Sequence, residues 1–445
     1  MKGSNDKPLF NLKAVLMETG LKPDTLRAWE RRYGLPGPKR TPGGHRIYSQ
    51  KDIDTLNWLL ARKAEGLSIS RAVDLWHATI REGQDPLREA AFAQPAQSHV
   101  EASGDTVEQS RADWINACKV FDDSGAEQVL NQAFARFPPE TVCLQILGRG
   151  LAEIGDQWQE DKITIQQEHF ATALAIRRLE ALIAASPPPT LPESILVGCP
   201  PEENHIFPIL LITFFLRRAG RKVMYLGADV PLARLEETLA LAKPELVILA
   251  AQQLTTAATL LLTSDVLSKM GIPLAFGGAI FNRLPELRER IPGHFLGETI
   301  DHVPGIVDYI LHASPPIPQR TPAPVRNERA LKHYRQRLFT IESRVKHHPQ
   351  LLHVGQFDLT QANLVLSRFL QAVLAFGELG AIGGEFEWPR RQILSHGYSV
   401  SQLVPYLEVY QQSINEELEE FGEPLLDYLS RLKAFSLQVE SGAQK

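Results

Sequence analysis

Residues 25–48, TLRAWERRYGLPGPKRTPGGHRIY, bring Arg27, Arg31, Arg32, Lys39, Arg40 and Arg46 together within a short span of helix and one loop. Trp29, Tyr33 and Tyr48 are interleaved with them. Clustered cations with aromatic anchors between them suit a nucleic-acid phosphate backbone. Thr25 is placed to cap a helix through Leu26, Trp29 and Arg32, which Leu35-Pro36 would end. Pro42-Gly43-Gly44 predicts a tight turn that carries His45 and Arg46 away from the body. The pattern is a helix followed by a wing, one element for the major groove and one for the backbone beside it. The candidate contacts are Thr25, Arg27, Trp29, Arg31, Arg32, Tyr33, Arg40, His45, Arg46 and Tyr48. The plainer alternative is a solvated basic helix end.

Residues 10–76 resemble the winged helix-turn-helix of the MerR family of transcription regulators. FNLKAVLMETGLKPDTLRAWERRYGL is similar to the family's opening helices, and RTPGGHRIYSQKDIDTLNWLLARKAEGLSISRAV to its wing and the two helices after it. The resemblance implies binding to double-stranded promoter DNA as a dimer or higher oligomer.

Charge is distributed as that reading requires. Residues 1–82 carry 15 Lys+Arg and 9 Asp+Glu, a net +6, and the whole chain is −5, so the remainder is −11. A basic head on an acidic body confines nucleic-acid binding to one end. At 445 residues the chain exceeds one core, and 44% hydrophobic with 22% charged residues is ordinary for a globular protein. Cys118, Cys143 and Cys199 are far apart without metal-ligand spacing, which predicts a reducing cytoplasm and no disulfide framework. The sequence leads us to expect neither a signal peptide nor an apolar run that spans a membrane.

The expected order is a multidomain one. The winged helix-turn-helix occupies 1–82 and a linker rich in Ala, Gln and Ser occupies 83–108. A helical four-helix bundle covers 109–188, broken at Phe137-Pro138-Pro139. Over 190–313 the runs SILVG, KVMYLG, LVILAA and PLAFGG alternate with helix-like segments near 208–219, 231–242 and 257–269. That alternation predicts an α/β doubly wound parallel sheet. A second linker, proline-rich, covers 314–326, and an all-α C-terminal domain covers 327–445.

Two histidines stand out. Ile165, His169, Thr172, Ile176 and Leu179 share one helix face, so His169 reads as a residue in or beside the core, next to a surface Glu168. Trp158, ten residues before Glu168, reads alone as a core aromatic. After the first strand comes PPEENHIFP, residues 200–208. In a parallel sheet, ligands sit outside the carboxyl ends of strands. His205 is expected there, with Glu203 two residues before it to take the Nδ1 proton and leave Nε2 as a stronger metal ligand.

Together these features resemble the cobalamin-binding part of light- and cobalamin-responsive MerR-type regulators, the CarH and LitR group. Their bundle carries a Trp, nine residues, then Glu-His, matched by Trp158 and Glu168-His169. Their sheet carries an acidic residue, one residue, His, two residues and Gly, matched by Glu203 and His205 but with Pro208 in place of Gly. A later Gly-Gly matches Gly277-Gly278. The resemblance spans about residues 111–312 and implies cobalamin, most of all adenosylcobalamin, as cofactor. It implies His205 as lower cobalt ligand in place of the cofactor's own base, with Glu203 behind it. Gly277 and Gly278 would line the nucleotide tail, and Gln252 and Leu254 are further candidates for binding the cofactor. Trp158, Glu168 and His169 would cover the upper face.

There are three departures. Pro208 replaces the most permissive residue. Gln252 stands where a small hydroxyl residue is usual and is expected to crowd the tail. Gln159 stands where light-sensing members often carry a His after the bundle Trp.

The C-terminal region has apolar faces at Leu364, Phe369, Val373, Phe376 and Leu379, and at Leu403, Val404 and Leu407. It reads as a dimerisation or signalling domain. The sharper alternative is a second chromophore, a bilin or haem, held by His396 beside Arg390 and Arg391. Removing everything after Pro324 is expected to leave cobalamin binding intact. The sequence thus predicts a cytoplasmic, cobalamin-dependent and light-responsive repressor, acting on DNA as a homo-oligomer, dimer or tetramer, without a membrane. Its rivals are a DNA-binding regulator with a cofactor-free interaction scaffold and a methyl-transfer enzyme, which the absence of a recognisable catalytic domain disfavours.

Overall fold

Pro23 opens the helix that carries the basic cluster. Its fixed φ suits the first helical position, where an N–H has no intrahelical partner. In the computed structural model this helix is Pro23–Tyr33, and Lys22 stands at its N-cap without a side-chain bond. Thr25 therefore lies inside the helix rather than capping it. Gly34, at φ 71, ends it by donating its N–H to the Glu30 carbonyl, so Leu35-Pro36 follow the end instead of causing it.

The structure describes residues 8–19, 21–40, 46–64, 69–81, 105–160, 162–351, 358–377 and 400–443. The turn Pro42-Gly43-Gly44, His45, most of the 83–108 linker, and His396 with Arg390, Arg391 and Tyr398 lie outside these residues. The chain divides into two units, Met1–Ser98 and His99–Lys445.

In the first unit, β1 (Pro8–Asn11), α1 (Leu12–Thr19), α2 (Pro23–Tyr33), β2 (Lys39–Arg40), β3 (Arg46–Ser49), α3 (Gln50–Ala64) and α4 (Ile69–Arg81) follow in order. The strands form an antiparallel sheet, β1-β3-β2, with Phe10 opposite Tyr48 and Arg40 opposite Arg46. Ser49 and Asp52 cap α3 reciprocally: each accepts from the other's backbone N–H. The core holds Val15, Leu26, Trp29, Tyr48, Leu56, Trp58 and Trp76, the last two edge to face at 5.2 Å.

The second unit begins with α5 (Asp105–Lys119), α6 (Asp123–Arg136), α7 (Pro139–Thr141), a π-helical stretch Val142–Gly148, α8 (Arg149–Gln159) and α9 (Ile165–Ala184). Helix α7, the π-helical stretch and α8 run on as one rod from Pro139 to Gln159, so four helical rods form the bundle. Asp122 caps α6, and Thr164 with Gln167 forms a capping box on α9. Trp114, Leu130, Ile146, Leu174 and Leu179 fill its core.

The sheet follows: β4 (Ser194–Gly198), α10 (Phe207–Arg218), β5 (Lys222–Gly227), α11 (Leu235–Ala242), β6 (Leu246–Ala250), α12 (Leu254–Lys269), β7 (Leu274–Gly277), α13 (Ala279–Arg283), β8 (His294–Phe295) and α14 (Val303–Ala313). All pairings are parallel, in the order β5-β4-β6-β7-β8. Strand alternation separates two faces. Ile195, Val197, Ile248 and Ala275 pack with α10 and α14, while Leu196, Val247, Leu249 and Phe276 pack with α11 and α12. The apolar runs predict four strands; β8, two residues long, is too short to give a run of its own.

The chain ends in α15 (Val325–Lys346), α16 (Leu359–Phe376), α17 (Val400–Leu418) and α18 (Glu423–Ala443). These helices are not isolated from the sheet. One hydrophobic core runs from Leu249 and Phe276 through Leu260 of α12 to Tyr334, Phe369, Leu407 and Tyr428. Helix α16 packs along α12. It is also long and apolar enough to cross a bilayer, contrary to the expectation that no segment is. More than half of it is buried inside the protein, and Phe369, Leu370 and Phe376 are core residues.

Candidate functional site

The strand order puts a switch point between β4 and β6, whose following loops leave in opposite directions along the sheet. The loop after β4 carries Glu203 and His205, and the loop after β6 carries Gln252 and Gln253.

Glu203 is fully buried and accepts four hydrogen bonds. Oε1 takes the His205 backbone N–H at 2.9 Å and His205 Nδ1 at 2.6 Å. Oε2 takes the Gln252 backbone N–H at 2.7 Å and the Thr256 hydroxyl at 2.6 Å. Burial pushes its pKa up, but these donors and the His205 charge outweigh it and hold the carboxyl below the usual range. The carboxylate accepts only, so Nδ1 carries the proton and Nε2 of the neutral ring keeps its lone pair. The imidazole is 58% exposed. The Glu203 hydrogen bond raises its pKa, against burial, with further help from the charges of Glu203 and Glu168.

That influence of Glu168 brings two distant motifs together. Helix α9 lies on α10, where Phe207, Leu211 and Phe214 enter the bundle core. Glu168 accepts from Thr172 at 2.8 Å and pairs with His169 Nδ1 at 2.7 Å. His169 is 73% exposed, so it stands on the helix surface and not in the core. Trp158 is half-buried against the bundle core near the end of α8, and Gln159 ends that helix.

Pro208 takes the second position of α10, where proline is well tolerated, so the departure does not disturb the loop. Gly278 has φ 121, and a Cβ there would overlap the Ala251 carbonyl. Its glycine requirement comes from the chain's own crossing behind β6. Gly277 lies in β7 with room for a Cβ. Gln252 Oε1 accepts from the Ala279 N–H at 3.0 Å, and its Nε2 is buried without a partner. Leu254 is a core residue and offers no surface to a ligand.

The site therefore offers one imidazole nitrogen in the loop after β4, oriented by a buried carboxylate and near an unpaired amide donor, a donor set that could hold a metal-bearing cofactor. Thr256 was not singled out in the sequence. Its signal is a buried hydroxyl inside the apolar run LTTAATLLL.

In the first unit, Arg27, Arg31 and Arg32 are exposed on α2, and the Arg32 guanidinium lies 5.7 Å from the Tyr33 ring centre. Thr25 is half-buried on the same helix. Trp29 and Tyr48, expected at the nucleic-acid surface, are core residues at 6% and 0% exposure. Arg46 does not project freely: its Nε donates to Glu30 Oε2 at 2.8 Å, and Tyr48 donates to Glu30 Oε1 at 2.6 Å. Glu30 therefore ties α2 to β3, a role the sequence reading missed in favour of the cations around it. Arg40 lies opposite Arg46 across the β2–β3 pair. Replacing Glu30 by Ala leaves Tyr48 and Arg46 without their acceptor. The expected loss is roughly 2–3 kcal/mol of head stability, read as a lower melting temperature of the first unit, and an unchanged melt would show the clamp to be idle.

Residues 10–78 match the MerR HTH family of regulatory proteins, and residues 111–183 match a family described as B12 binding domain. The HTH-type transcriptional repressor CarH of Myxococcus xanthus is 29% identical over 296 residues, covering 65% of this chain and 95% of that protein. The repressor CarA of the same organism is 30% identical over 244 residues, covering 54% of this chain and 75% of that protein. The regulator MlrA of Escherichia coli strain K12 is 40% identical over 63 residues, 14% of this chain and 26% of that protein.

Proposed function

The chain belongs to the family of MerR-type HTH regulators that includes the repressors CarA and CarH, and we propose that it represses transcription by a DNA grip that cobalamin controls. The observation that carries this is the Glu203–His205 pair, with Nε2 left available at the switch point of a sheet that follows the HTH head in the chain. It is a regulator and not an enzyme, as its matched relatives are.

His205 would hold cobalt from below, and Glu203, fixed by Thr256 and the Gln252 N–H, would keep the ring oriented. Gly277, Gly278 and the unpaired Gln252 amide would border the tail. Trp158, Glu168 and His169 would stand over the upper face. When bound, adenosylcobalamin supplies a cobalt–carbon bond that light can break. Cofactor and light would then shift a population between oligomers that do and do not present paired heads to promoter DNA.

On DNA, Arg27, Arg31 and Arg32 of α2 would enter the major groove, with Arg40 in the wing. Arg32→Ala should lower affinity for promoter DNA about tenfold or more, since a lost bidentate base contact costs about 1–3 kcal/mol. A gel-shift titration at fixed salt measures it; equal affinity for wild type and Arg32→Ala would remove α2 from the recognition role. The reading as a whole is tested by adding adenosylcobalamin in the dark. Promoter affinity should change on addition and return on green illumination, and an affinity indifferent to both would refute it.

A further inference from the structure

Helix α16 lies beyond the stretch that resembles cobalamin regulators, yet it reaches the loop that carries His205. Arg368 Nη2 lies 3.1 Å from Glu202 Oε1. Glu202 precedes Glu203 and sits at φ 68, a conformation that a non-glycine residue keeps only where its surroundings hold it. Its N–H donates to Asp229 Oδ1 at 2.7 Å. One residue earlier, the Pro201 carbonyl accepts from the Thr259 hydroxyl at 2.6 Å. Thr256 and Thr259 are three apart on α12, hence neighbours on its surface. One helix thus holds the loop at both Pro201 and Glu203, and α16 packs along that same helix.

We propose that Arg368 is a positioning residue for the lower-ligand loop. Through it the C-terminal helices set how firmly His205 is presented to cobalt. The proposal rests on His205 being the lower ligand. The pair is partly exposed, so its loss alone changes an equilibrium constant by about fivefold at most. A charge swap reads it more sharply than a deletion.

The test uses full-length wild type, Arg368→Glu, Glu202→Arg and the double variant. Amide hydrogen exchange over residues 200–206 is measured without cofactor. The affinity and absorption spectrum of hydroxocobalamin are measured on the same proteins. Each single reversal should speed exchange and weaken binding about five- to tenfold, and the swap should restore both to within about twofold. Wild-type exchange and affinity in the single variants would overturn the proposal. So would a double variant as impaired as both singles combined. Failure of the underlying reading looks different: His205→Ala would then bind cobalamin as wild type does, with the same spectrum. That result overturns the positioning role too, because the loop would have no ligand to present.

Discussion

His205→Ala should lower affinity for hydroxocobalamin by about a hundredfold or more, because nothing else in its loop offers an imidazole nitrogen. His205 is placed by two bonds to one carboxylate oxygen, from its own N–H and from Nδ1. Removing the ring takes away the ligand and leaves Glu203 buried with its three other donors, the N–H of residue 205, the Gln252 N–H and the Thr256 hydroxyl. Glu203→Gln should weaken binding by about 10–100-fold, since an amide does not accept the Nδ1 proton as strongly and the ring loses its orientation. Absorbance titration separates the cases: His205→Ala should retain at most weak binding with the cofactor's own base on cobalt. A His205→Ala protein that binds as tightly as wild type, with an unaltered spectrum, would make His205 an ordinary loop residue.

Truncation after Pro324 should abolish the folded second unit rather than leave cobalamin binding intact. The sequence reading, which took the proline-rich stretch as a boundary between independent parts, expects the opposite. The shared core reverses that expectation. Leu366, Phe369, Leu370, Val373, Leu374 and Phe376 of α16 belong to the same buried cluster as Leu254, Leu260 and Leu261 of α12. A buried Leu or Phe contributes about 1.5–3 kcal/mol, and a domain's whole stability is about 5–15 kcal/mol. Exposing even a few such side chains on α12 is enough to unfold or aggregate the remainder. Size-exclusion chromatography and a melting curve of residues 1–324 check this. A monodisperse protein with the melting temperature and cobalamin affinity of the full chain would contradict it.

How much of this was legible in the sequence depends on the range of the interaction. The α/β alternation and the HTH head follow from local periodicity and turn residues, so they can be read directly. Glu203 and His205 are two residues apart, so their bond is a local matter as well. Thr256 and the Gln252 N–H reach Glu203 across about fifty positions, and only the crossing of two strand ends brings them in. The same limit explains Trp29 and Tyr48. Aromatics among arginines suit a nucleic-acid surface, but their neighbours in space are Val15, Leu26 and Trp58, which close a core around them. Glu30 was hidden by its setting: one acid among six nearby cations reads as dilution, whereas it binds Arg46 and Tyr48 from the next element. His169 went the other way, because a helix face defined by Ile165, Thr172 and Ile176 is itself only half-buried.

The most direct test of the central claim is the electron paramagnetic resonance spectrum of the protein loaded with cobalamin reduced to cobalt(II), prepared once with natural histidine and once with nitrogen-15 histidine. The axial nitrogen splits the cobalt lines into triplets when it is nitrogen-14 and doublets when it is nitrogen-15. If His205 is the lower ligand, labelled protein gives doublets and labelled His205→Ala does not. Triplets that persist in labelled wild-type protein would mean that the cofactor keeps its own base, and the account given for this site would be wrong.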